Sequence, residues 1–125
     1  MPLTLLIGGA RSGKSSLAAK LAVGAPVSVL VTGEPRDGEM AERIRRHRAA
    51  RPEEWAVHEE PVAIERVIDG VDPGHSLVLD CLTLWVSNLL EGGLTSDEVE
   101  RRARRAAELC AFRPGSTIAI TNEVG

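Results

Sequence analysis

Tyrosine is absent from this 125-residue chain, and its only aromatic side chains are Trp55, Trp85 and Phe112. The core must therefore be filled by Leu, Val, Ile and Ala, and a single-stranded nucleic acid would find few rings to stack on. Positive charge is not in excess: 15 Lys and Arg stand against 18 Asp and Glu, a formal net charge of −3. That balance argues against a dedicated nucleic-acid binder. Cysteine is limited to Cys81 and Cys110, which match no metal spacing and read as buried, reduced thiols. No apolar run approaches the ~18 residues of a membrane span, and no basic leader followed by an apolar run opens the chain. The expectation is a cytoplasmic protein of one domain over residues 1–125, with no membrane span and no nucleic-acid partner.

What is present is an alternation of short apolar runs and helical patterns. Leu3 to Ile7 reads as a strand buried on both faces, closed by Gly8-Gly9. Ser15 to Val23 reads as a helix, and Val27 to Val31 as a second buried strand. Asp37 suits an N-cap for a helix from about Gly38 to Ala50, which Pro52 stops. A short strand over Trp55 to His58 and a helix over Val62 to Ile68 follow. Leu77 to Leu79 is a strand ending at Asp80, and Leu82 to Leu90 a helix with Leu82, Val86 and Leu89 or Leu90 facing inward. Thr95 and Glu98 form a capping box for a helix running to about Phe112, and Thr117 to Ile120 is a further strand after the Pro114-Gly115 turn. This order predicts an α/β domain with a mostly parallel sheet flanked by helices.

The segment Gly8-Gly9-Ala10-Arg11-Ser12-Gly13-Lys14-Ser15 fits G-x-x-x-x-G-K-[ST], placed between a strand and a helix as a phosphate loop requires. Small residues let the backbone N–H groups wrap a phosphate, and the helix dipole points at the same group. Lys14 sets a point charge on the outer phosphates, and the Ser15 hydroxyl is the expected Mg2+ ligand. Asp80, at the end of an apolar strand, reads either as a second magnesium-site residue or as a surface Asp at a strand end or a helix N-cap for Leu82 onward; the phosphate loop upstream favours the metal site.

Met40, Ile44, His47 and Arg51 fall on one helical stripe, with Arg43 four residues before His47 and Arg51 four after. Nearby positive charge disfavours the imidazolium, which would leave His47 neutral and nucleophilic, and the arginines could hold a triphosphate. From the pattern alone, a packed helix-edge histidine among solvated arginines is the commoner outcome. His58 and His75 read as structural or surface residues, and Arg101, Arg102, Arg104 and Arg105 as a solvated helix face.

Taken together, these segments resemble one family, the bifunctional adenosylcobinamide kinase / adenosylcobinamide-phosphate guanylyltransferase of cobalamin synthesis. Residues 8–15 are similar to that family's phosphate loop letter for letter. Asp37, Glu39-Met40, Arg43-Ile44, His47, Arg51-Pro52 and Trp55 resemble its D-x-E-M-x-x-R-I-x-x-H-x-x-x-R-P-x-x-W block, and Glu59-Glu60-Pro61 its acidic-proline turn. Asp80-Cys81-Leu82-Thr83-Leu84-Trp85 with Asn88 resembles D-C-L-T-L-W-x-x-N, and residues 121–125 resemble T-N-E-V-G. The resemblance implies a RecA-like P-loop NTPase fold. It implies phosphorylation of adenosylcobinamide by ATP or GTP, then transfer of GMP from GTP through a guanylylated histidine, here His47. It also implies nucleotide contacts from residues 8–15, Arg43, Arg51, Glu59 and Asp80, with Mg2+ at Ser15 and Asp80. With the block matched around it, the nucleophile reading of His47 takes the lead.

Two departures from the family pattern stand out. Gly38 occupies a position that is commonly acidic, and the family continues beyond T-N-E-V-G with a further loop, helix and strand. The family assembles as trimers, so a homotrimer is the expectation where that further part is present. Two other functions fit the phosphate loop: a kinase of another small molecule, or a shortened nucleotide-binding module without catalysis. A covalent GMP adduct separates both from the first reading.

Overall fold

The computed structural model describes residues 3–8, 26–33, 42 and 55–122. Five strands form one sheet: β1 (Leu3–Gly8), β2 (Val27–Val31), β3 (Ala56–Glu59), β4 (Ser76–Asp80) and β5 (Thr117–Asn122). Three helices are described along their length, α1 (Ile64–Gly70), α2 (Leu82–Glu91) and α3 (Ser96–Phe112). The helices expected over residues 15–23 and 38–50 lie outside the described residues, apart from Glu42, which is helical.

The strand order is β1-β5-β4-β2-β3, and every pairing is parallel, so the expected mostly parallel sheet is wholly parallel among the described strands. Parallel strands need helices on their faces, and the central ones are accordingly apolar on both sides. One face sets Leu30, Leu77, Leu79 and Ala119 against Ile64 and Ile68 of α1, Trp85 and Leu89 of α2, and Ala106 and Cys110 of α3. The opposite face carries Val27, Val29, Val78, Ile118 and Ile120, with Trp55 and Leu84 packed at its margin. Cys81 and Cys110 are both buried, as expected.

The expectation that β1 is buried on both faces is not met. Leu3, Leu5 and Ile7 are 45%, 51% and 64% exposed. Among the described residues β1 is the outermost strand and pairs only with β5, so its side chains lack the described neighbours that cover β2 and β4. An apolar run reports a preference for burial, not a place within the sheet.

The helix boundaries follow from local chemistry. Thr95 Oγ1 accepts the Glu98 N–H, and the Glu98 carboxylate accepts the Thr95 N–H, so the capping box at the start of α3 is complete. Of the inward positions expected on α2, Leu89 is buried and Leu90 is exposed, while Trp85 contributes the largest buried side chain. At the amino end of the sheet, the buried Arg113 donates to the carbonyls of Ser116 at 2.8 Å and His75 at 2.6 Å, joining two turns. Gly115 sits so close to the His75 and Pro73 carbonyls that a Cβ would collide with the backbone. His75 Nδ1 is 2.9 Å from Ser28 Oγ, which fits its expected structural role.

Candidate active site

In a parallel sheet the carboxyl ends of all strands open on one edge, and ligands bind there where strand order reverses. Here that edge gathers Gly8 at the end of β1, Asn122 of β5, Asp80 of β4, Thr32 just beyond β2 and Glu59 of β3. Asp80 pairs in register with Ile120 on one side and Val31 on the other, and Val31 pairs with Glu59. Residues in register across parallel strands share a face, so Asp80 and Glu59 lie on the same side, two strand spacings or about 10 Å apart in backbone position. Gly8 pairs with Asn122, two residues further along β5 than Ile120. The strand that leads into the phosphate-loop motif and the strand that ends in Asp80 thus flank β5.

Asp80 is half-buried, and the N-cap position of α2 falls on Cys81, not on Asp80. The helix-capping alternative for Asp80 is therefore not what the fold uses. Among the described residues no three His, Cys, Asp or Glu side chains gather as a ready metal cage. One carboxylate at a strand end still suits magnesium, which is commonly held by one or two carboxylates with hydroxyl, water and phosphate oxygens completing the shell. Of the other predicted site residues, Gly9, Ala10, Arg11, Ser12, Gly13, Lys14, Ser15, Arg43, His47 and Arg51 lie outside the described residues.

Several polar side chains hold this edge together: Thr32, which sequence reasoning did not single out, and Glu60, Thr83, Trp85, Asn88 and Thr121, which it named only as letters of the family-like segments. Buried Thr32 donates its hydroxyl to the Cys81 carbonyl at 2.7 Å and accepts the Cys81 N–H at 3.1 Å, locking β2 to the peptide that follows Asp80. The Asp80–Cys81 peptide bond is cis. The Asn88 side-chain amide donates to the carbonyls of Thr32 and Pro61, each at 2.9 Å. Trp85 Nε1 donates to the Val62 carbonyl at 2.8 Å. Glu60 turns its carboxylate back onto the N–H groups of Val62 and Ala63, both at 3.1 Å. Thr83, in the first turn of α2, meets Thr121 of β5 hydroxyl to hydroxyl at 2.9 Å.

Arg102 corrects the reading of the α3 arginines as a solvated face. Its guanidinium grips Glu65 through two bonds of 2.9 and 2.8 Å, donates to the Val62 carbonyl at 2.8 Å and lies 5.9 Å from the Trp85 ring centroid. The Glu65 carboxylate raises its pKa further. Arg104 keeps the expected surface pairing, to Glu100 one turn away. Sequence spacing could not separate the two, because the partners of Arg102 lie about 40 residues away in sequence.

Comparison with known proteins bears on what this edge does. The family model described as cobinamide kinase / cobinamide phosphate guanyltransferase matches residues 4–125. The chain is 44% identical over 126 residues to the bifunctional adenosylcobalamin biosynthesis protein CobP of Pseudomonas aeruginosa, covering 97% of this chain and 71% of that one. It is 34% identical over 137 residues to the bifunctional adenosylcobalamin biosynthesis protein CobU of Escherichia coli, covering 98% of this chain and 76% of that one.

Proposed function

Because the chain belongs to the cobinamide kinase / cobinamide phosphate guanyltransferase family, we propose that its two transfer reactions share the carboxyl edge of the sheet, with residues 8–15 and Asp80 as the phosphate site and His47 as the carrier of GMP. The protein is an α/β enzyme with the P-loop NTPase-like fold of that family. The observation that supports the assignment of the site is that Asp80 ends β4 on the same sheet edge as the end of β1, where the loop motif begins, with only β5 between them.

In the kinase reaction the side-chain hydroxyl of adenosylcobinamide attacks the γ-phosphorus of ATP or GTP and gives up its proton to solvent. The bond to the β,γ-bridging oxygen breaks, and the nucleoside diphosphate leaves with that oxygen's electron pair. Backbone N–H groups of residues 8–15 cradle the phosphates, and Lys14 offsets the charge that moves onto the leaving group. Magnesium, held by the Ser15 hydroxyl and the Asp80 carboxylate, supplies further charge neutralisation when bound. In the second reaction a neutral His47 nitrogen attacks the α-phosphorus of GTP, an N–P bond forms, and pyrophosphate leaves with the electrons of the broken P–O bond. A phosphate oxygen of adenosylcobinamide phosphate then attacks the same phosphorus. The N–P bond breaks, His47 is restored, and adenosylcobinamide-GDP departs. Arg43 and Arg51 hold the triphosphate, and Glu59 contacts the nucleotide.

The test is covalent labelling. Protein incubated with magnesium and GTP labelled at the α-phosphate is denatured in alkali and in acid. Label stable to alkali, lost in acid and absent from His47→Ala is the expected result. Tight GTP binding without label would sink the His47 assignment and favour a plain kinase or a non-catalytic nucleotide-binding module, which a phosphorylation assay with adenosylcobinamide would separate.

A further inference from the structure

We propose that the groove between α1 and α3 is a second anion site, for a small ligand that carries a diphosphate or longer phosphate chain. The site is independent of the roles given to His47 and to residues 8–15, and none of its walls belongs to the sheet edge that holds Asp80. The groove measures about 320 Å³ and is lined by Glu65 of α1, Leu94 of the loop before α3, and Glu98, Arg101, Arg102 and Arg105 of α3. That volume lies at the small end of the range for ligand clefts, about 300–1,000 Å³. Positions 98, 101, 102 and 105 are three or four residues apart along α3, so one helix face supplies most of the lining. Three guanidiniums meet two carboxylates there, in a chain whose formal net charge is −3.

Both carboxylates are already engaged. Glu65 is held by Arg102 through bonds of 2.9 and 2.8 Å, and Glu98 accepts the Thr95 N–H at 3.0 Å in the capping box. The other two guanidiniums are unmatched. Among the described residues Arg101 and Arg105 make no ion pair, whereas Arg104 on the same helix meets Glu100 at 2.6 Å. Arg101 acts on Glu98 only through space. Arg101 and Arg105 are exposed and stand one turn apart on one face, a like-charge arrangement that is unfavourable until an anion neutralises it. Arg102 adds a guanidinium that is already set. Its bonds to Glu65 and to the Val62 carbonyl fix it beside the Trp85 ring, while 29% of its side chain stays exposed. An ordered guanidinium loses little freedom when a ligand arrives, and its parallel N–H donors match phosphate oxygens. Two unmatched positive charges ask for two or more negative ones, which a single carboxylate does not supply and a diphosphate does.

The test is titration calorimetry with pyrophosphate and with GTP, without magnesium, at about 0.15 M ionic strength, where attraction beyond about 8 Å is screened. It uses the full chain carrying Lys14→Ala, to weaken binding at residues 8–15, alone and combined with Arg101→Gln and Arg105→Gln or with Arg104→Gln. Glutamine keeps helix propensity, and all three arginines are exposed, so these changes spare the fold. The expected result is that pyrophosphate still binds Lys14→Ala, binds at least about tenfold more weakly once Arg101 and Arg105 are replaced, and is unaffected by Arg104→Gln. In the parent the paired change removes one bound equivalent, which gives the same answer should Lys14→Ala fail to fold. Tighter binding of pyrophosphate than of GTP names the released product as the occupant and the reverse names a nucleotide; either order supports the site. Binding that vanishes with Lys14→Ala, that ignores the paired change, or that falls equally with Arg104→Gln overturns it. A parent that takes no GMP label overturns the His47 assignment and leaves this site standing.

Discussion

Replacing Thr32 by valine isolates a single buried hydroxyl. The two side chains have nearly the same shape, so the change removes the hydroxyl with little change in packed volume. In the parent that oxygen donates to the Cys81 carbonyl at 2.7 Å and accepts the Cys81 N–H at 3.1 Å. Each bond contributes about 1 kcal/mol net, and taking the acceptor from a buried N–H adds a desolvation cost, so the loss should reach about 2–3 kcal/mol. For a domain of this size that corresponds to a fall in Tm of about 8–12 °C. Thr32→Ser is the matched control: it keeps the hydroxyl and gives up one methyl, at about 1 kcal/mol. Urea unfolding with an unchanged m-value would measure both. If valine and serine destabilise equally, or if valine costs less than about 0.5 kcal/mol, the hydroxyl bridge does not hold β2 to the peptide after Asp80 and the reasoning fails.

Three other outcomes follow from the same physics. Gly115→Ala drives a methyl into the His75 and Pro73 carbonyls and should destabilise by about 2 kcal/mol or more, read as a lower urea midpoint. Backbone and hydroxyl bonds from Thr95 hold the Glu98 carboxyl below its ordinary range. Its folded pKa is depressed, so its contribution is present above about pH 4.5 and is lost as pH falls below that; this acid-side slope of stability should vanish in Glu98→Gln, which has no carboxyl to titrate, and only shrink in Thr95→Ala, which keeps the backbone donor. Burial pushes the Cys110 thiol up, so a thiolate-selective reagent should leave it unmodified at neutral pH until the chain unfolds. Because the folded state keeps a proton that the unfolded chain releases, stability should also fall as pH rises through about 8.5, and Cys110→Ala should flatten that slope.

Legibility in the sequence followed the range of the interactions. Thr95 and Glu98 are three residues apart, and their letters announced both the start of α3 and its cap. The apolar runs of β2 and β4 marked buried strands because both stand between neighbours. The equally apolar β1 misled, because nothing local records that a strand lies at an edge. Asp80 was legible as a strand terminus after an apolar run. Thr32 and Asn88 were not legible as braces, since their partners lie 49 and 56 residues away and ordinary helix or strand positions carry no trace of such contacts. Arg102 looked like its neighbours on α3 for the same reason. Motif resemblance proposes roles for residues that periodicity alone leaves open, His47 foremost, because it draws on the joint pattern of several segments.

The place of β5 has a consequence for how the protein comes into being. The two strands that frame the proposed phosphate site, β1 and β4, are joined only through β5, which lies between them, and Leu3 must find Thr117, 114 residues on. During synthesis β1 emerges more than a hundred residues before β5, its described partner. Its apolar stripe must wait for that partner. Such a topology carries a high contact order, so folding should be slow and should close late, with the nucleotide site as the final part to form. A phosphate-bearing ligand that bridges the ends of β1 and β4 would then act as a clasp on that last step and slow its reopening.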